Sequence, residues 1–256
     1  MIRIATWNVN SLRVRLPHVL QWLEAEQPDV LALQETKLVD INFPIEEIQN
    51  AGYHAVYAGQ KTYNGVAILS KEIATDTVFS FPSFDDPQRR ILCSTINDIK
   101  ILNLYVPNGS EVGSDKFKYK LEWFSHLHLF VKNLLEKYKK VILLGDFNIA
   151  PDDRDVYDPK EWEGKVLVSE AERDGFRQLL ELGLTDSFRI FNQGEGCFSW
   201  WDYRAAAFRR NHGLRIDHIL TSEGLTNKCI KCWIDKSPRS LERPSDHAPV
   251  IAEFSL

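Results

Sequence analysis

The sequence predicts an α/β (α+β) fold in which two β-sheets pack on each other with helices outside. Three observations carry that prediction. Short strand-like runs recur from one end of the chain to the other, helical patterns interrupt them without strict βαβ alternation, and short turns between neighbouring runs suggest antiparallel or mixed pairing. With 256 residues, 44% of them hydrophobic, the chain has material for a large core in one unit spanning 1–256. It holds no linker rich in Gly, Pro or Ser, no low-complexity tract and no short-period repeat.

The first strand is expected over 3–7, Arg-Ile-Ala-Thr-Trp. A helix follows over 16–27, with Val19, Leu20 and Leu23 on one face and Pro28 closing it. The apolar run 30–34 comes next, then strands over 54–57, 66–70, 91–96 and 100–105. The longest helix is expected over 115–138, where Phe117, Leu121, Phe124, Leu127, Val131, Leu134 and Leu135 keep the helical period. A buried strand over 141–144 precedes a third helix over 169–182, opened by the capping-box pair Ser169 and Glu172 and ended near Gly183. Strands over 197–201, 216–221, 228–235 and 248–254 complete the set.

The formal net charge of −5 and the pI of about 5.8 argue against a protein that coats nucleic acid without specificity. They leave room for a metal-dependent nuclease, whose cleft must itself be acidic. The clusters Arg13/Arg15, Arg89/Arg90, Lys116/Lys118/Lys120 and Arg209/Arg210 fall in expected loops or element ends; each alone suits a solvated face, and together they suit a rim for phosphates. Apolar runs end after four to six residues, too short for a bilayer, and the N-terminal run lacks the apolar stretch of a signal peptide. Cys93, Cys197, Cys229 and Cys232 are too scattered for a disulfide scaffold, so a reducing cytoplasm is expected. Cys229-Ile230-Lys231-Cys232 lacks a second ligand pair and is read as two small residues near a strand edge.

Chemistry concentrates in short polar words at the ends of the apolar runs: Trp7-Asn8-Val9-Asn10, Gln34-Glu35-Thr36-Lys37, Gly145-Asp146-Phe147-Asn148 and Ser245-Asp246-His247. Strand ends let a rigid sheet gather side chains from distant parts of a sequence into one cleft. Asn8 and Glu35 offer oxygens to a hard divalent ion, although a turn-forming Asn and a loop glutamate read equally well locally. Asp146 and Asn148 share a face if the backbone stays extended, with Phe147 turned into the core; an Asx turn is the other reading. Asp217 lies among apolar neighbours and calls for a partner, for which His247 is the natural choice. Tyr105 ends a strand and is followed by a turn at Asn108-Gly109. The other histidines, His218 included, have no such context and are read as structural.

Together these words resemble the exonuclease III class of apurinic/apyrimidinic endonucleases, within the endonuclease/exonuclease/phosphatase superfamily. The resemblance runs from Ile4-Ala5-Thr6-Trp7-Asn8-Val9-Asn10 to Pro244-Ser245-Asp246-His247-Ala248-Pro249-Val250 and covers essentially the whole chain. It takes in Gln34-Glu35-Thr36-Lys37, Gln88-Arg89-Arg90, Leu104-Tyr105-Val106-Pro107-Asn108-Gly109, Gly145-Asp146-Phe147-Asn148, Phe198-Ser199-Trp200-Trp201 and Gly213-Leu214-Arg215-Ile216-Asp217-His218.

The resemblance implies a four-layer α/β sandwich, two mixed sheets flanked by helices. It implies that Glu35 binds Mg²⁺, for which Mn²⁺ substitutes, helped by Asn8 and Asp246, with Asp146, Asn148 and His247 also counted around the ion. Asp146 would orient or deprotonate the attacking water and Asn148 would help hold it. Asp217 would pair with His247, which contacts the scissile phosphate, and Tyr105 would steady that phosphate. Arg89 and Asn108 are assigned to substrate binding. Trp200, Leu214 and Ile216 would line a pocket that fits an abasic deoxyribose and excludes a nucleotide with its base. Arg204, Arg209 and Arg210, in the loop 204–212, would lie against the DNA backbone. The implied substrate is double-stranded DNA with abasic or 3′-blocked lesions, cut 5′ to the abasic site by a monomer, with 3′→5′ exonuclease and 3′-phosphatase activity as companions. Asn10 stands where other members carry Asp. The rival readings are a phosphodiesterase acting on RNA or a phosphorylated small molecule, and a DNA-binding protein without catalysis.

Overall fold

Twelve strands and eight α-helices follow one another along residues 1–256 of the computed structural model. In chain order they are β1 (Ile2–Asn8), α1 (Leu12–Glu26), β2 (Val30–Gln34), α2 (Ile45–Asn50), β3 (His54–Ala58), β4 (Val66–Ser70), β5 (Thr75–Val78), β6 (Ile91–Ile96) and β7 (Ile99–Tyr105). Then come α3 (Asp115–Lys137), β8 (Val141–Asp146), α4 (Pro159–Trp162), α5 (Glu170–Glu181), β9 (Leu184–Asp186) and α6 (Ser187–Phe191). The chain finishes with α7 (Ala207–Arg210), β10 (Asp217–Ser222), α8 (Glu223–Thr226), β11 (Cys229–Ile234) and β12 (Val250–Phe254).

The strands form two six-stranded mixed sheets, ordered β11-β12-β1-β2-β4-β3 and β5-β6-β7-β8-β10-β9. Both have the same inner pattern: a parallel pair, β1–β2 in one and β7–β8 in the other, flanked by antiparallel neighbours. Central strands read as unbroken apolar runs because both their faces are covered, and every residue of β2, β4 and β8 is buried. Strand alternation then sorts the side chains into layers. Ile4, Ala32, Ile68, Ile101, Ile142 and Leu144 meet between the sheets. Ala5, Trp7, Leu31 and Leu33 face outward to Val19, Trp22 and Leu23 of α1. On the far side Leu102, Leu104 and Leu143 face Trp123, Leu127 and Val131 of α3 and Phe176 and Leu179 of α5. The expected four-layer sandwich is the architecture found.

One polar tie crosses the middle layer. Asn103 of β7 donates to the carbonyls of Leu33 (3.0 Å) and Ala67 (2.9 Å), which face each other across β2 and β4, and accepts from Gln34 at 2.7 Å. A buried amide needs such partners, and these are available in one relative position of the sheets.

Several elements differ from the sequence reading. Helix α1 begins at Leu12 rather than at 16, because Arg15 N–H already bonds to the Ser11 carbonyl at 3.2 Å, and it carries Pro17 inside. Residues 197–201 form no strand. Both Ser199 and Trp200 donate to the Leu214 carbonyl, and Trp200 makes isolated bridges to Leu214 and His247, so the segment laces two others together instead of joining a ladder. Strands β5 and β9 and helices α2, α4, α6, α7 and α8 are too short to display a period and were not expected. A bulge between Cys229 and Lys231 in β11, at the sheet edge, leaves Cys229 and Cys232 both buried as free thiols. No helix is long and apolar enough to cross a membrane.

Candidate active site

The two parallel pairs run the same way into one end of the sandwich. The C-terminal ends of β1, β2, β7 and β8 meet there, and β10 begins there. Register places Tyr105 opposite Asp146, and Asp146 opposite Asp217, so three site residues stand in a row across three strands. In the other sheet Asn8 stands opposite Gln34, one residue before Glu35. Gly145 makes this packing possible: its φ is +141°, and a Cβ there would come within 2.0 Å of the Leu104 carbonyl oxygen.

The side chains converge around Asn8, which is fully buried. Its amide nitrogen donates to Glu35 Oε1 at 2.9 Å and to Asp146 Oδ2 at 2.8 Å, so one residue joins carboxylates from the two sheets. Its oxygen accepts from the Asn10 N–H at 3.0 Å. Asp146 also accepts from the Asn148 backbone N–H at 2.9 Å and from its amide at 3.3 Å. Asn148 has a left-handed φ of +50°, so the backbone does not stay extended after Asp146. The two side chains meet through an Asx-type turn instead, the alternative reading of this word, because the Asn148 N–H folds back onto Asp146. Phe147 points into the core, as expected. Asn108, which is exposed, donates to Asn148 Oδ1 at 3.1 Å.

His247 is held from several sides. Nδ1 lies 2.9 Å from Asp217 Oδ2, and Nε2 lies 3.8 Å from Asp146 Oδ2. Ser199, which the sequence reading did not single out, donates to Asp217 at 2.6 Å while accepting from the Ile216 and Asp217 N–H groups. Ser245 Oγ donates to the Asn8 carbonyl at 2.7 Å and accepts from His247 N–H. Burial alone would lower the His247 pKa, but Asp217 and Asp146 beside it raise it to about 10, so the ring is a cation at neutral pH. Burial pushes Asp146 up to about 7, with His247 pulling the other way. Burial, reinforced by Glu35 and Asp146, raises the Tyr105 phenol well above its ordinary value and keeps it a hydrogen-bond donor.

Glu35, Asp146 and His247 each bring one side-chain oxygen or nitrogen within 4.8 Å of the others, although His247, as a cation, has no lone pair for a metal. The oxygens of the two carboxylates are the donors a hard divalent cation prefers. Lys37, which the sequence reading passed over, places its ammonium 2.8 Å from Glu35 Oε2 and 2.5 Å from Asn10 Oδ1. The Asp246 oxygens accept from Asn10 and from the Trp200 indole, each at 2.9 Å. Trp200 packs against the buried Leu214 and Ile216 in one apolar cluster with Ala150, Val156, Leu167 and Val168.

The basic clusters divide. Arg13, Arg89, Lys116, Lys118, Arg209 and Arg210 are exposed. Arg15 is drawn onto Tyr203 and the Pro244 carbonyl, and Arg90 lies over the Tyr105 ring. Lys120 is not on the rim at all, being 1% exposed and paired with Glu172. It lies on the apolar stripe of α3, between Phe117 and Phe124.

A profile of the Endonuclease/Exonuclease/phosphatase family matches residues 5–247. The exodeoxyribonuclease III of Haemophilus influenzae is 38% identical, over 99% of this chain and 100% of that protein. The chain belongs to the exonuclease III/AP endonuclease family. Within that family, the DNA repair nuclease APEX1 of Danio rerio is 31% identical over 97% of this chain and 81% of its own length. Among solved structures, the 3′ phosphatase NExo from Neisseria, bound to a product DNA hairpin, matches with a TM-score of 0.99 and 48% identity over the full length of both chains. The AP endonuclease from Archaeoglobus fulgidus matches with a TM-score of 0.96 and 37% identity, again over both full lengths. An exonuclease III family member with this cluster is a phosphodiesterase of the exodeoxyribonuclease III/AP endonuclease type.

Proposed function

We propose that this nuclease hydrolyses the phosphodiester 5′ to an abasic site in duplex DNA, and that the same centre trims or dephosphorylates 3′ ends. The observation that carries the reading is the Asn8 amide joining Glu35 and Asp146 while Asp217 holds cationic His247 beside them. The buried Asp146, the half-buried Glu35 and a fixed imidazolium suit attack on a phosphate. Asp146, beside His247 and joined to Asn148, takes the proton of the attacking water, and Asn148 orients that water. The water oxygen bonds to phosphorus in line with the leaving 3′ oxygen, whose bond to phosphorus breaks as it takes a proton from solvent. His247 donates from Nε2 to the phosphate oxygens as charge builds on them, and the protonated Tyr105 donates to the same group.

Mg²⁺ fits the carboxylate oxygens of Glu35 and Asp146, and when bound it supplies Lewis-acid stabilisation of the phosphate. Asp246, engaged by Asn10 and Trp200, serves in this reading to hold the Trp200 indole over Leu214 and Ile216 as a wall for the abasic sugar. Arg89 and Asn108, both exposed at the rim, contact the DNA strand on either side.

The test is an end-labelled duplex with one abasic site, incubated in Mg²⁺ and in EDTA. A metal-dependent nick 5′ to the lesion, leaving a 3′-hydroxyl, is expected. Absence of a nick in Mg²⁺ or Mn²⁺ with folded protein would reject the reading. A duplex ending in a 3′-phosphate belongs in the same experiment, because the relative at 48% identity is a 3′ phosphatase.

A further inference from the structure

Three successive carbonyls follow Phe147 in the loop that carries Asn148, and each accepts from a different element. Lys120 Nζ of α3 donates to the Asn148 carbonyl at 2.7 Å. His218 Nε2 of β10 lies 2.9 Å from the Ile149 carbonyl, and Arg173 Nε of α5 donates to the Ala150 carbonyl at 3.1 Å. Lys120 does more than the other two. Its ammonium also donates to the Asn108 carbonyl at 3.1 Å and contacts Glu172, so all three of its protons are spent. Lys120 therefore joins the two segments whose side chains, Asn108 and Asn148, meet at the site. Glu172 in turn accepts from the Leu167 N–H at 3.0 Å, the Ser169 N–H at 3.2 Å and the Ser169 hydroxyl.

We infer that Lys120, with Glu172 as its counter-ion, is a positioning residue for the hydrolytic reaction, fixing the left-handed turn at Asn148 so that its amide stays on Asp146. The inference deepens the function proposed above and rests on it. A buried ion pair is a poor device for stability alone, since an apolar pair of similar volume often does as well. Here the ion pair sits beneath the one backbone turn that sets the Asp146–Asn148 contact, and a lysine reaches both carbonyls where an apolar side chain reaches neither. Asn148 holds a left-handed φ, and the Lys120 contact to its carbonyl is one of the ties on that turn.

The experiment replaces both charges, Lys120→Met with Glu172→Gln, so that no unpaired ion is left in the core. The double variant should melt near the wild-type temperature, while kcat on the abasic duplex falls about tenfold to a hundredfold, the usual consequence of a displaced catalytic group. KM should stay within about twofold, marking a loss confined to the reaction step. Amide exchange at Asn148 and Ile149 should quicken. A double variant with wild-type kcat, or with unchanged exchange at those two amides, overturns the inference. If the double variant does not fold, Glu172→Gln alone answers: lowered melting with unchanged exchange at Asn148 supports Lys120 as the holder, and exchange rising in step with lost stability rejects it. If the wild-type protein cleaves no DNA, the proposed function fails, and the exchange measurement still decides whether Lys120 fixes the turn.

Discussion

Asp217 Oδ2 lies 2.9 Å from His247 Nδ1, and this contact turns the ring so that Nε2 faces Asp146 at 3.8 Å. The carboxylate both orients the ring and keeps it charged. Asp217→Asn preserves the shape and removes the charge, so kcat should fall about a hundredfold with little change in KM. The His247 pKa, raised to about 10 in the native protein, should drop, and activity should then be lost at lower pH as the ring deprotonates. A pH–rate profile checks this, and an unmoved alkaline limb would remove His247 as the cation.

Asp146→Asn should lower turnover by about two orders of magnitude or more while leaving DNA affinity nearly intact, since its task lies in the transition state. Single-turnover rates beside equilibrium binding of the abasic duplex separate the two. A defect confined to binding would exclude Asp146 as the base.

Removal of Glu35 addresses the metal. Glu35→Ala should raise the Mg²⁺ concentration for half-maximal activity about tenfold or more, in line with the loss of one carboxylate ligand. EDTA should abolish activity in both proteins and added Mg²⁺ should restore it. An unchanged titration would take Glu35 off the ligand list.

Stability should respond to acid through His218. Its ring is fully buried, bonded to the Ile149 carbonyl and Arg215, and burial lowers its pKa to about 4, with Arg215 adding to the effect. The unfolded chain binds a proton below the ordinary value of 6.5 and the folded chain does not, so stability falls as pH drops from 6.5 towards about 4. The loss across that window is about 3 kcal/mol. Urea midpoints for the wild type and for His218→Gln measure it; the variant's curve should be flatter there, and parallel curves would refute the assignment.

The strand-end words were legible because each chemical group sits within a few residues of a turn, where sequence neighbours remain neighbours in space. Asn8, Glu35, Asp146 and His247 came together as their motifs required. What the sequence concealed lies in contacts between motifs. Lys37 meets Glu35 through a turn with left-handed residues at both positions, and Ser199 reaches Asp217 only because 197–201 is laced rather than paired. Lys120 was grouped with Lys116 and Lys118 by proximity in sequence, yet its spacing from Phe117 and Phe124 already put it on the buried stripe of α3. A charge on an apolar stripe is a signal for a buried partner, and Glu172 supplied it.

The position of β12 has a consequence for how the protein is made. It lies between β11 and β1, and its Phe254 stands opposite Ile2. During synthesis, β1 therefore waits with one unpaired edge until Val250–Phe254 has left the ribosome. His247, just ahead of β12, arrives equally late. The open edge of β1 makes that interval a period of exposure to aggregation and to chaperones.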